Sequence, residues 1–133
     1  MLYIARNNTQ FVQLNYRNFT GGDILPEEKV VALWGGALVS QSIFLPQGGF
    51  RITITARGDA AAGEYPHLIV YVNDRQAGNY YLLNEMQQHS LTFDNSASQN
   101  VTVKLEMDND YYEPGKGDRN AFVSQVLFER EDQ

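Results

Sequence analysis

The sequence predicts an all-β fold, a β-sandwich jelly roll, and two observations predict it. Short segments alternate apolar and polar residues with period two, and Gly- and Pro-rich joins separate them. Phe50, Ile52, Ile54 and Ala56 fall on one face of a clean alternation. Leu68, Val70 and Val72 share a face, and Asn73-Asp74-Arg75-Gln76 reads as a turn into Tyr80-Tyr81-Leu82-Leu83. Val101, Val103, Leu105 and Met107 line one side of a further strand. In a last strand Phe122, Val126 and Phe128 are expected on one side, Val123 and Leu127 on the other. The joins are Gly21-Gly22, Gly35-Gly36, Pro46 to Gly49, Gly58 to Pro66, and Pro114 to Gly117. No segment combines helical periodicity with caps. Pro26-Glu27-Glu28-Lys29 starts a short helical turn at most, and helix should stay under about one-tenth of the chain. The charged end from about Glu129 is expected to fray. At 133 residues the chain fits a single domain, 1–133, around one two-layer core.

Composition narrows the function. Eight Tyr and seven Phe, with many Val and Ile, suit pleated half-buried strands. The net charge of −6 argues against nucleic acid and anionic membrane surfaces and favours a hard cation. Cysteine is absent, which excludes a disulfide framework and a thiolate zinc site. No run approaches the ~18 apolar residues of a membrane span. No signal peptide is visible at the N-terminus.

The most informative segment is Asp108-Asn109-Asp110-Tyr111-Tyr112-Glu113-Pro114-Gly115-Lys116-Gly117-Asp118-Arg119-Asn120, between two expected strands. Four acidic side chains, two Asn, two Tyr and two Gly fall within these 13 residues. Calcium takes about six to eight oxygens from carboxylates, amide or backbone carbonyls and water, and glycine lets a carbonyl turn inward. The segment is not an EF-hand loop, because Glu113 stands where that loop needs Gly and Arg119 where it needs Glu. Composition alone favours a solvated acidic hairpin loop.

The run from Asn109 to Asn120, followed by Phe122-Val123, resembles the signature of the calcium-dependent xylan-binding carbohydrate-binding modules of families thirty-six and sixty. Ala56-Arg57-Gly58 and Gly63-Glu64-Tyr65-Pro66-His67-Leu68-Ile69-Val70-Tyr71-Val72-Asn73-Asp74 resemble them too, with Val72-Asn73-Asp74 in place of a Val-Asp-Gly-like turn. Leu33-Trp34 and Phe44 to Phe50 fit the same rhythm, so the resemblance covers roughly residues 30 to 130. It implies a jelly roll holding Ca2+ at this loop, with vicinal hydroxyls of a sugar completing the coordination. By position, it implies Asp110 and Asp118 as side-chain ligands and Gly117 as a carbonyl ligand, with Asp108 and Asn120 as further ligands. So few charged ligands imply a modest affinity, ~10⁻⁴–10⁻³ M, suited to an extracellular setting. The implied partner is a plant-type polysaccharide such as xylan, and the implied context a secreted protein with an attached glycoside hydrolase.

Tyr111 and Tyr112 flank the implied metal, and either ring offers an apolar face to sugar C–H groups or packs on the sandwich edge. Trp34, the only tryptophan, is a platform candidate or a packing residue before Gly35-Gly36. His67 and His89 lack a metal-ligand spacing and read as structural. Arg57 and Arg119 are expected to brace the acidic loop or a neighbouring strand, and Asp59 and Glu64 lie in a loop that a jelly roll brings near it. No Gly-x-Ser-x-Gly elbow or Cys nucleophile is present, so the chain is not read as an enzyme. A calcium-stiffened adhesion or spacer domain is the alternative.

Overall fold

The computed structural model describes residues 2–3 and 11–131. Two antiparallel sheets face one another. The five-stranded sheet runs β10 (Arg75–Tyr81), β9 (His67–Val72), β13 (Val103–Met107), β6 (Gly36–Ser40), β3 (Phe19–Thr20). The second runs β11 (Gln87–Asn95), β8 (Gly48–Asp59), β16 (Asn120–Arg130), β5 (Val30–Leu33), β4 (Asp23–Leu25), with β2 (Phe11–Asn15) also paired to β16. A small sheet joins β1 (Leu2–Tyr3), β7 (Ile43–Leu45) and β12 (Gln99–Val101); a hairpin joins β14 (Tyr112–Glu113) and β15 (Gly117–Asp118). The one helical turn among the described residues is a 3₁₀ turn at Tyr16–Asn18.

The alternation expected from the sequence builds the core. Phe50, Ile52, Ile54, Val70, Val72, Val103, Leu105, Val126 and Phe128 are fully buried in one cluster between the sheets. Pairing of β8 with both β11 and β16 places the longest alternating segment inside its sheet, next to the central strand β16. Asn73 and Asp74, at φ 47° and 69°, form a two-residue hairpin joining Val72 to Arg75, tighter than the four-residue turn expected.

Three expectations are corrected. Phe122 does not share a face with Val126 and Phe128: the register shifts between Val123 and Gln125, so Ser124 forms a bulge. Ala121 and Val123 therefore join the core while Phe122 turns outward into a second cluster with Val30 and Ala32. The segment from Val101 to Met107 is two strands in different sheets. Asn73 holds the break: its Nδ2 donates to the Asn100 carbonyl at 3.1 Å, and its Oδ1 accepts from Thr102 N at 2.9 Å. The end does not fray at Glu129, because β16 continues to Arg130 and Glu131 N donates to the Gly49 carbonyl at 3.0 Å. Pro26 to Lys29 form the turn between β4 and β5.

Candidate functional site

The acidic loop leaves β13 at one end of the sandwich and returns through the β14–β15 hairpin into β16. Its first two residues are fastened to the start of β9. Asn109 accepts from His67 N at 2.8 Å through Oδ1 and donates to the Tyr65 carbonyl at 3.0 Å. Asp108 pairs with His67 Nδ1 at 2.8 Å, and Asn79 Oδ1 lies 3.0 Å from the other ring nitrogen. Burial opposes charge on His67, but the hydrogen bonds to Asn79 and Asp108, with the Asp108 charge, outweigh it and raise its pKa above the ordinary value. The carboxylate of Asp108 is thus engaged by an imidazole, a role the sequence did not suggest.

Arg119 ties this loop to the one between β8 and β9. It is 4% exposed. Its Nε donates to the Glu64 carbonyl at 3.1 Å and Nη2 to the Ala61 carbonyl at 2.6 Å, while Nη1 bonds the Asn109 carbonyl. The guanidinium also lies over the Tyr111 ring, 5.3 Å from its centroid. The clamped partner loop is a tight hairpin in which Ala61 and Glu64 exchange backbone hydrogen bonds. Arg57, by contrast, contacts Glu28 at 3.0 Å and Asp59 at 3.5 Å and covers the Phe122 ring.

The hairpin turn closes with Lys116 N donating to the Glu113 carbonyl at 2.9 Å through Pro114 and Gly115. Gly117, at φ +146°, sits where an added Cβ would come within 3.2 Å of Ala61 Cβ, so glycine allows both the backbone angle and the close approach. Tyr112 pairs with Asp118 across the hairpin and is 67% exposed; Tyr111 donates its hydroxyl to Glu113 at 3.0 Å and is half-buried. Asp110 lies over Gly35, where an added Cβ would stand 2.5 Å from its Oδ2. Trp34, next in the chain, is 43% exposed, donates Nε1–H to Asp23 at 2.6 Å, and meets Phe122 edge-on.

These contacts leave a set of oxygens without partners. The carboxylates of Asp110 and Asp118 form no hydrogen bond or ion pair with a described residue. Asn120 is buried, and its Oδ1 has no hydrogen-bond partner among the described residues. Asp59 is its register neighbour on β8. A buried acceptor without a donor, close in sequence to two unpaired carboxylates, fits a cation better than a neutral hydrogen-bonded loop. No group of three or more Asp, Glu or His side chains converges among the described residues, so any metal here takes a mixed ligand set with amide or backbone oxygens.

A family model described as "Ca-dependent carbohydrate-binding module xylan-binding" (CBM60) matches residues 51–132, and that span contains the whole loop. The chain belongs to this family. The CBM60 chain also shares its fold with solved structures. The CBM36-1 domain of a multidomain xylanase from the hindgut metagenome of Trinervitermes trinervoides superposes with a TM-score of 0.65 at 12% identity, covering 92% of this chain and 99% of that one. A CBM36 in complex with calcium and xylotriose gives 0.58 at 13% identity, covering 88% and 98%. The C-terminal CBM6 of LamC, a marine laminarinase from Zobellia galactanivorans, gives 0.60 at 11% identity, covering 90% and 99%. At these identities the likeness is one of fold. No curated protein matches the sequence of this chain.

Proposed function

We propose that the chain is a non-catalytic module, one domain over residues 1–133, that binds xylan or a related polysaccharide through calcium. Membership in a calcium-dependent, xylan-binding family supports this reading, and the observation that carries it is the unpartnered oxygen set of Asp110, Asp118 and Asn120. The side chains of Asp110, Asp118 and Asn120 and the Gly117 carbonyl would hold the ion. Asp108, paired with His67, fastens the loop instead. Calcium bound there supplies open coordination positions that two neighbouring sugar hydroxyls can fill.

The chain's own residues do the rest. Arg119 fixes the distance between the two loops, and Gly35 lets the Asp110 carboxylate settle against the β5–β6 connection. Tyr112 and Trp34 present exposed aromatic faces for sugar C–H groups beside the charged centre. A ligand set with two carboxylates is expected to bind calcium at ~10⁻⁴–10⁻³ M, an affinity suited to a calcium-rich extracellular setting; the multidomain xylanase that holds the similar CBM36-1 domain supports a glycoside hydrolase as the attached partner.

The test is titration of xylotriose into wild type with calcium, wild type with chelator, and Asp118→Ala with calcium. Binding in the first arm alone is expected, because sugar and metal affinities are linked. Equal affinity in all three would overturn the calcium mechanism. Calcium stabilisation without sugar binding would favour an adhesion or spacer role, and hydrolysis of the oligosaccharide would overturn the non-catalytic reading.

A further inference from the structure

The end of β10 carries an exposed aromatic with no assigned task. Tyr81 is 54% exposed, and Leu83 and Met86, which follow it in the chain, are exposed large apolar residues as well. An isolated exposed tyrosine needs no explanation, but this ring is held in place. One side of it meets the His67 imidazole at 4.8 Å between centroids, tilted by 43°. His67 is in turn fixed at both ring nitrogens, by Asp108 and Asn79, and its backbone N–H is bonded to Asn109. The segment after Tyr81 is tied down too: Leu82 N donates to the Pro66 carbonyl at 2.9 Å, and Gly58 N donates to the Leu83 carbonyl at 2.8 Å. An exposed ring immobilised from behind loses little conformational freedom on stacking, which is what a binding platform needs.

Its backing leads directly to the candidate calcium loop, since Asp108 and Asn109 immediately precede Asp110. Trp34 flanks Asp110 through Gly35, and Tyr81 adjoins the same loop through His67 and Asp108. We propose that Tyr81, its ring packed against His67, is a second contact for the bound glycan: an aromatic shelf that takes a sugar residue further along the chain whose hydroxyls meet the calcium. This rests on the calcium-dependent reading above. It adds a dependence on chain length, because a short ligand that satisfies the metal does not reach the shelf.

The experiment is titration of a xylo-oligosaccharide series, from xylobiose to xylohexaose, into wild type, Tyr81→Ala and Asp118→Ala, each with calcium and with chelator. Calcium affinity is measured separately on each variant without sugar. Tyr81 is exposed, so Tyr81→Ala should fold and bind calcium as wild type does. Wild-type affinity is expected to rise with ligand length, and Tyr81→Ala to lose that rise, roughly 2- to 12-fold on the longest ligand, with the shortest ligand unchanged. Tyr81→Trp should keep the rise. Tyr81→Ala binding every length as wild type does would overturn the shelf and leave the calcium reading standing. A Tyr81-dependent rise that persists in chelator and in Asp118→Ala would overturn the calcium reading and leave the shelf.

Discussion

Replacing Arg119 with methionine removes a buried cation that spans two loops while keeping a side chain of similar length. The structure gives the guanidinium three backbone carbonyl partners, on Ala61, Glu64 and Asn109. A hydrogen bond to a charged group is worth about 1.5–3 kcal/mol taken singly. The three act as one unit, and carbonyls in surface loops regain water once freed, so their losses do not add; about 3–4 kcal/mol in total is the reasonable sum. The contact with the Glu64 carboxylate, at 3.7 Å with that side chain 60% exposed, adds little. For a domain of this size the loss lowers the melting temperature by about 10–15 °C. Arg119→Lys should recover only part of it, because an ammonium group is a point charge and cannot span the fork. The assay is thermal unfolding of both variants in chelator, followed by calcium titration, where Arg119→Met should bind the ion at least about tenfold more weakly as its loops separate. A melting temperature within about 2 °C of wild type, with calcium affinity unchanged, would refute the account of Arg119 as the clamp.

Raising calcium to ~10 mM should stabilise the fold by about 1.4–2.7 kcal/mol at the expected affinity, seen as a higher melting temperature, and Asp118→Ala should lose the gain. Gly35→Ala should spare the apo fold, since its new Cβ meets only the end of the Asp110 side chain, yet weaken calcium binding by displacing that carboxylate; calorimetry on the variant checks both. The two histidines should respond to pH in opposite senses. His67, raised by its acceptors against the effect of burial, stabilises the fold below its unfolded value near 6.5, and that contribution is lost as pH rises through the folded value. His89, lowered by burial, leaves the unfolded chain to bind a proton first, so stability falls as pH drops from 6.5 through the folded value. Denaturation midpoints between about pH 5 and 8 should therefore flatten on the alkaline side in His67→Gln and on the acid side in His89→Phe.

The sandwich was legible because its central strands obey strict alternation: every apolar residue named on β8, β9 and β13 is buried. Alternation fails to carry across a bulge, which is why it puts Phe122 on the wrong face, and it runs without a mark through Thr102, where one apparent strand changes sheets. The candidate loop was legible from its density of oxygens; of the side chains that the family resemblance implies as ligands, Asp110, Asp118 and Asn120 lack side-chain partners among the described residues, while Asp108 is paired with His67. Arg119 was legible as a brace of the acidic loop, and its carbonyl partners bear that out; what the sequence hid was His67 reaching Asp108 and Gly35 lying beneath Asp110. Gly35-Gly36 carried a signal, since it follows Trp34 directly, but read locally it was only punctuation. Asn109, seen as one more oxygen donor, spends its amide on anchoring the loop to Tyr65 and His67.

The bulge at Ser124 sets which way the candidate site faces. Counting back from Phe128 and Val126 in unbroken alternation, Asn120 would point into the hydrophobic core. The one additional residue reverses the phase, so Ala121 and Val123 fill the core while Asn120 falls with Phe122 on the opposite face of the strand, still buried. The strand behaves as a shaft with a half-turn coupling: one half is locked by the core, and the other aims a polar group. Deleting Ser124 would conserve every candidate ligand in the sequence and still rotate Asn120 away from its neighbours, so the spacing between core and loop is as much a part of the candidate site as the oxygens themselves.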